Sequence, residues 1–280
     1  MRYREFAPLN ALSGVIRCIW IFDRDAHDGE PPEPVIGDGN PELIVHFGDP
    51  MVEVGAEGEW RQPRALFAGQ LTRPLWLRPG GRVDVLGIRF HPWSARRLLR
   101  IPVSDLTDRR VALNELIDGA GEFVDAMSRC TSDAARADQA QAFVAQCLAR
   151  ADAGDDREVA QCVARLLQPG ASIDALAAQA GIGRRQLERR FLDAVGVSPR
   201  ALAGILRLRR FFTLLEESTA PLMEAALAAG YYDQSHFIRE FRRYAGYTPT
   251  RFMEVRPALA TAILQAPDVA TVQAPAARFP

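Results

Sequence analysis

One short pattern is written twice in this chain, and that repeat constrains the fold more than any other feature. Leu187, Arg189, Phe191, Gly196, Ser198 and Pro199 recur as Phe237, Arg239, Phe241, Gly246, Thr248 and Pro249, each displaced by the same 50 residues. Each copy follows an apolar run that ends in Ala-Gly, at Ala180-Gly181 and Ala229-Gly230. Glycine can take the positive φ needed to turn the chain sharply after a helix. A short apolar helix, such a glycine and a second helix of alternating apolar and arginine positions is the pattern of a helix-turn-helix unit. Residues Ser172 to Thr250 are therefore expected to hold two such units in tandem, the layout of a module that reads DNA.

The residue periods assign faces within each unit. In the first, Ser172 is expected to cap a helix over Ile173 to Ala180, and Ala177 is small where the next helix crosses. In that next helix Leu187, Phe191 and Val195 fall at i, i+4, i+8 and face inward, whereas Arg185, Glu188, Arg189 and Leu192 share another side. All of the second set except Leu192 are expected to look outward. In the second unit Leu222 to Ala229 is the supporting helix and Asp233 the N-cap of the reader. Phe237, Phe241 and Tyr244 anchor that reader, which leaves Gln234, Ser235, Ile238, Arg239, Arg242 and Arg243 to divide among base edges, phosphates and solvent. Gly230 lies nine residues before Arg239 and Gly181 eight before Arg189, so the second turn is one residue longer. Between the units, Ser198-Pro199 reads as an N-cap followed by a proline at the first helical position. The helix it starts should run to about Glu216, a rod of roughly 27 Å at ~1.5 Å per residue. Such a rod can hold two readers near one turn of B-DNA apart, about 34 Å.

Charge supports the same reading modestly. The whole chain carries a formal charge of -1, yet Arg184 to Arg256 holds 13 arginines against 8 acidic residues. The chain has no lysine, so all 34 basic side chains are arginine, a compositional habit rather than a site. An arginine fork can donate two hydrogen bonds to guanine O6 and N7, worth ~1–3 kcal/mol of discrimination. Arginines that reach phosphates instead give affinity and salt sensitivity without sequence information. Taken alone, Arg189 and Arg239 each read equally as part of a solvated helix face; the duplication favours DNA for the module as a whole.

The stretch Ala229-Gly230-Tyr231-Tyr232-Asp233-Gln234-Ser235-His236-Phe237-Ile238-Arg239-Glu240-Phe241, followed by Gly246-Tyr247-Thr248-Pro249, resembles the signature of AraC/XylS-type transcriptional regulators. The resemblance spans roughly residues 160 to 254. It implies that Arg185, Glu188 and Arg189 sit where the first reading helix meets bases, and Gln234, Ser235 and Arg239 where the second does. Two departures stand out. Gly183 occupies the place where the family usually has a capping serine, so the first reader should start more loosely. Glu188 is acidic at a base-facing position, where it can accept from cytosine N4 or pair with Arg184 or Arg185.

The first half reads differently. Val15 to Phe22, Leu43 to Phe47, Met51 to Val54, Ala65 to Ala68, Leu75 to Leu77 and Val83 to Phe90 are strand candidates separated by turn formers such as Pro79-Gly80-Gly81. Val83, Val85, Gly87 and Arg89 alternate with Asp84, Leu86, Ile88 and Phe90. From Trp93 the period becomes helical, through Trp93 to Leu99, Leu113 to Ile117, Phe123 to Met127 and Ala134 to Leu148. The stripe Ala140, Phe143, Val144, Cys147 and Leu148 should pack on its own sheet or on a second subunit. Asp38 to Val45 and Phe67 to Leu75 resemble, less sharply, the β-rich and often cupin-like sensor or dimerisation domain that precedes the DNA-binding module in such regulators. The expected organisation is thus α+β. Residues 1–150 form a β-rich sandwich or cupin-like barrel with following helices, 156–256 an all-α domain of two helix-turn-helix units joined by a long helix, and 257–280 a mobile tail.

Enzyme chemistry finds little footing. A metal cupin wants two histidines one residue apart, whereas His27, His46 and His91 are isolated, and His46 on an apolar strand reads as a core residue. Cys18, Cys130, Cys147 and Cys162 show no Cys-x-x-Cys spacing and read as small core residues of a reduced compartment. None has the Pro-Cys-His-type surroundings of an alkyl-transferring repair enzyme. No catalytic residue, metal site or cofactor is expected, and no apolar run reaches the ~18 residues of a membrane span. The expected protein is a cytoplasmic transcription regulator, of activator type by the resemblance, with double-stranded DNA as partner. RNA polymerase, a small-molecule effector and a second copy are further candidate partners, and an enzyme or a protein-binding adaptor carrying the helix-turn-helix module is the competing reading. If an effector binds, the barrel interior or mouth is its default place, with Trp20, His46, Trp76 and Arg89 as candidate lining residues by size or polarity alone, each of which reads better as a core or surface residue.

Overall fold

The computed structural model describes residues 2–150, 157–166, 173–179, 181–217, 221–255 and 257. The expected cap at Ser172, the helix end at Ala180, the junction at 151–156 and the tail after Pro257 lie outside the described residues. The first half runs β1 (Arg2–Phe6), β2 (Ile16–Arg24), β3 (Glu33–Val35), β4 (Glu42–His46), β5 (Val52–Gly55), β6 (Gly58–Arg61), β7 (Ala65–Ala68), β8 (Leu75–Arg78), β9 (Val83–Phe90), α1 (Ala95–Leu99), β10 (Arg110–Ala112), α2 (Ala120–Ser128) and α3 (Asp133–Ala149). A six-stranded antiparallel sheet has the order β1-β2-β9-β4-β7-β10, and a four-stranded one the order β3-β8-β5-β6.

The centre of the larger sheet is buried on both faces, which is why β2 is an unbroken apolar run from Cys18 to Phe22. Ile19 and Ile21 of β2, with Leu86, Ile88 and Phe90 of β9, pack under the helices, against Phe123, Met127, Ala140, Phe143 and Val144. Cys18, Trp20 and Phe22, with Val83 and Val85, face the other way, onto Met51 and Leu77. The alternation read in Val83 to Phe90 is thus real, with a different apolar layer on each side. Gly87 is where Trp20 crosses its neighbouring strand: a Cβ there would lie 2.1 Å from the indole ring. The α3 stripe packs on its own sheet, and Ser132 caps that helix by accepting from the Ala135 N–H at 3.2 Å. Leu113 to Ile117 departs from expectation, forming one 3₁₀ turn (Leu113–Glu115) directly after β10.

His46 is a core residue, 2 % exposed. Gln62 donates its amide to Glu53 Oε1 at 3.0 Å, so its oxygen faces His46 Nε2 at 3.1 Å as an acceptor and the proton belongs on Nε2. Burial pushes the His46 pKa down to about 4, against the raising effect of the Gln62 bond. The unfolded chain therefore binds the extra proton first, below about pH 6.5. Stability should be full above that pH and fall by about 3 kcal/mol as pH drops towards 4. Urea melts across this range should show the decline, and His46→Asn should flatten it; an unchanged slope in the variant would assign the acid sensitivity to other groups.

The second half runs α4 (Arg157–Leu166), α5 (Ile173–Gln179), α6 (Arg184–Val195), α7 (Pro199–Glu217), α8 (Leu222–Ala229), α9 (Gln234–Ala245) and α10 (Pro249–Val255). Helix α7 belongs to both units. Its Leu202 and Leu206 join Val163, Leu176, Leu187, Phe191 and Val195, whereas its Ile205, Leu208, Phe211 and Phe212 join Phe237, Phe241, Tyr244 and Phe252. The two halves also share cores. Ile36 is buried within the second unit's cluster, and Trp93 packs against the first.

Candidate nucleic-acid interface

The duplication extends to individual backbone bonds. Ile182 N–H donates to Ala177 O and Tyr231 N–H to Ala226 O, both at 3.1 Å, so each supporting helix closes with the same glycine turn. Each reader ends likewise, with Gly196 N–H on Leu192 O at 2.9 Å and Gly246 N–H on Arg242 O at 3.0 Å. Ser198 Oγ then accepts from Ala201 N–H at 3.2 Å and Thr248 Oγ1 from Arg251 N–H at 3.3 Å, capping α7 and α10. The starts of the readers differ, as the spacing required. Helix α6 begins at Gly183 with no side-chain cap, whereas α9 begins at Asp233, whose carboxylate accepts from His236 N–H at 2.7 Å.

Both readers bury the anchors expected of them: Leu187, Phe191 and Val195 in α6, and Phe237, Phe241 and Tyr244 in α9. Their other faces are open. Arg185, Arg189, Gln234, Ser235, Arg239, Arg242 and Arg243 are all exposed. Among the described residues the side chains of Arg185, Arg189, Arg239 and Arg242 make no ion pair, although their neighbours do. Arg190 pairs with Glu158, and Arg207 reaches Glu240 at 2.7 Å. Glu188 is half-buried and accepts from Arg184 Nε at 3.1 Å, so its carboxylate is already engaged by a neighbour on its own helix. Arg243 lies over the Tyr244 ring, 5.3 Å from its centroid, and Arg242 and Arg243 together fill the last turn of α9, where cations favour the helix dipole. Leu192, set apart from the outward face on grounds of hydrophobicity, is exposed with it.

One residue of this surface escaped the reading of the sequence. Tyr232 is 88 % exposed, on the turn directly before the Asp233 cap. Its N–H donates to His236 Nδ1 at 3.2 Å, which fixes that ring as an acceptor there and turns Nε2 towards Glu240. The sequence offered only a signature match at this position, and the degree of exposure is the signal that it lacked.

In the first half a cavity of ≈ 130 Å³ lies between the two sheets, walled by Trp20, Glu42, His46, Leu75, Leu77 and Arg89 among others. Trp76, one of the four candidate lining residues, is not among those that wall it. Strand alternation turns its ring outward, onto Tyr247 at 5.3 Å. Arg89 is 2 % exposed and holds two carboxylates, Glu42 at 2.8 Å and Asp38 at 3.4 Å, while Trp20 Nε1 donates to Glu42 at 2.9 Å. Burial pushes Glu42 up despite Arg89; at Asp38 the fields of Arg89, Arg209 and Arg17 outweigh burial and hold the carboxyl low. Burial, reinforced by Arg17, pushes Arg209 of α7 down to about 10. Among the described residues no group of three or more His, Cys, Asp or Glu side chains is placed to hold a metal ion.

Residues 176–254 match a family described as a helix-turn-helix domain, and residues 4–112 match a domain of unknown function. The chain is 35 % identical over 81 residues to the HTH-type transcriptional regulator MtrA of Neisseria gonorrhoeae, covering 29 % of this chain and 27 % of that one. It is 31 % identical over 93 residues to the HTH-type transcriptional regulator GbdR of Pseudomonas aeruginosa, covering 33 % and 25 %. The chain thus spans about a quarter of the length of these curated relatives. A solved structure of ToxT from Vibrio cholerae superposes with a TM-score of 0.47 at 11 % identity, covering 91 % of this chain and 98 % of that one.

Proposed function

We propose that this chain, a member of the AraC-type helix-turn-helix regulators over residues 176–254, is a sequence-specific transcription regulator that seats α6 and α9 in successive major grooves. The observation that carries this reading is the contrast on the two reading helices: Arg185, Arg189, Arg239 and Arg242 are exposed and make no ion pair among the described residues, beside arginines already held by carboxylates. Helix α7, with 19 residues, spans about 28 Å at ~1.5 Å per residue, close to the ~34 Å between successive grooves on one face. Arg185 and Arg189 from α6, and Gln234, Ser235 and Arg239 from α9, take the base edges. Arg242 and Arg243 take phosphates, Tyr232 lies against the backbone at the entry of α9, and Glu188 orients Arg184. Domain limits of 1–150 and 156–256 go with this reading.

The first half is the regulatory part of the proposal. Its cavity approaches the ~150 Å³ that admits a benzene-sized molecule, which makes it a seat for a small effector. RNA polymerase and a second copy of the chain are further partners on the resemblance alone. The place of action is the cytoplasm and the role is not enzymatic; among the described residues no helix is long and apolar enough to cross a membrane.

The test is Arg239→Ala, measured by gel shift on DNA upstream of the protein's own and neighbouring genes and on random duplex. Loss of a bidentate guanine contact should cost about 1–3 kcal/mol on the cognate site, roughly 5- to 150-fold, and much less on random DNA. Equal losses on both would reduce Arg239 to a phosphate contact, and no binding by the unaltered chain to any of these duplexes would refute the reading.

A further inference from the structure

The first half touches the two readers at the same place in each repeat. Gly196 and Gly246, the equivalent glycines that close α6 and α9, both have positive φ, at 88° and 76°. A Cβ on Gly196 would lie 3.0 Å from Val103 O and 3.2 Å from Thr107 Oγ1; one on Gly246 would lie 3.1 Å from Pro74 Cγ and 3.1 Å from Trp76 Cζ2. Both glycines are thus needed for the turn and also for this approach. Each contact is strengthened by a neighbour. Thr107 Oγ1 donates to Gly196 O, and the Trp76 ring meets Tyr247 edge-on, 5.3 Å between centroids at 76°.

A third contact falls between these two, on the helix that joins the readers. Gly39 also has positive φ, and a Cβ there would lie 3.1 Å from Leu202 Cδ1 and 3.3 Å from Leu206 Cδ2 of α7. Next to it Asp38 feels Arg209 of the same helix. Three separate contacts restrain one body on another more than one does, and here they lie on the end of each reader and on the rod that joins them.

We infer that the first half is a clamp that sets the separation and angle of the two DNA-reading helices, with Val103 and Thr107 positioning α6 and Pro74 and Trp76 positioning α9. The inference rests on the DNA-reading function proposed above, but the clamp itself exists without DNA. It makes half-site spacing a property of the whole chain rather than of the α7 rod alone. One inserted base pair moves the second half-site by about 3.4 Å and turns it by about 34°, which a clamped pair cannot follow.

The experiment uses the full chain carrying Cys130→Ser and Cys147→Ser, with spin labels on Arg189→Cys and Arg239→Cys. Pulsed dipolar spectroscopy should give one narrow distance distribution, which broadens when Trp76→Ala and Thr107→Ala are added and narrows again with Trp76→Phe and Thr107→Ser. An unchanged distribution in the alanine variant overturns the clamp. In unlabelled chains, affinity is compared on the cognate site and on the same site with one base pair inserted. The unaltered front should prefer the natural spacing and the alanine variant should lose that preference, its affinity ratio falling towards one. A mere loss of folded protein lowers both affinities together and leaves the ratio unchanged, a result that contradicts the clamp. If the unaltered chain binds neither duplex, the DNA reading fails and the distance measurement alone decides the clamp.

Discussion

Replacing Arg89 by methionine should destabilise the chain by about 3–5 kcal/mol at neutral pH, because it leaves charged carboxylates buried without their partner. Glu42 accepts from this one guanidinium and Asp38 pairs with it at 3.4 Å, both carboxylates coming from one segment that is distant from Arg89 in sequence. The variant carries its own signature. Without Arg89 the folded-state pKa of Glu42, already raised by burial, rises further, and that of Asp38 loses the largest influence that holds it low. A carboxyl whose folded pKa exceeds its unfolded value is stabilising when protonated and becomes a penalty as pH rises through that folded pKa. The defect should therefore be largest near pH 8 and shrink towards pH 5, read as a shift of the urea midpoint at constant slope. A loss below about 1 kcal/mol with no pH dependence would mean that Arg209 and Arg17 suffice to hold the carboxylates.

The second large effect is expected at Phe241→Ala, about 3–5 kcal/mol. Phe241 is fully buried, and its ring lies 5.6 Å from Phe237, 5.9 Å from Phe211, 5.7 Å from Phe212 and 5.6 Å from Phe252. These residues come from α7, α9 and α10, so one truncation loosens the seating of the second reader on its rod and on the helix that follows. Native domains have only about 5–15 kcal/mol to lose, and a cavity here should open the second unit before the first. Hydrogen exchange should show α8 to α10 losing protection ahead of α4 to α6. A uniform loss across the chain would instead make the two units and the β-rich half one cooperative body.

Much of the second half was legible because its information is local and written twice. The i, i+4 anchors, the Ala-Gly turns, the Asp233 cap and the extra residue in the second turn all follow from spacing alone. The first half was legible only where strands are apolar. β6 (Gly58–Arg61) is exposed at every position and so shows no pattern to read, β3 contains Pro34, and β1 carries Arg2, Arg4 and Glu5. β10 is three residues long, too short to show a period, and fell between the helical stretches read at Trp93 to Leu99 and Leu113 to Ile117. The Asp38-Arg89-Glu42 cluster and the Trp76–Tyr247 contact join residues distant in sequence, and no period announces such pairs. Trp76 was therefore only a candidate for the cavity by its size, and the strand turns it onto the second reading unit. At the candidate interface the types of residue were readable, but which arginines are spoken for was not. That distinction came from Glu158, Glu188 and Glu240, each of which engages one arginine, whereas Arg185, Arg189, Arg239 and Arg242 make no ion pair among the described residues.

The claim that α6 and α9 act as two grips on one duplex is tested most directly by hydroxyl-radical footprinting of the full chain on its upstream DNA. Two protected windows on one face of the helix are predicted, centred about one turn, ~10–10.5 base pairs, apart. A single window, two windows on opposite faces, or uniform protection without a boundary would contradict it.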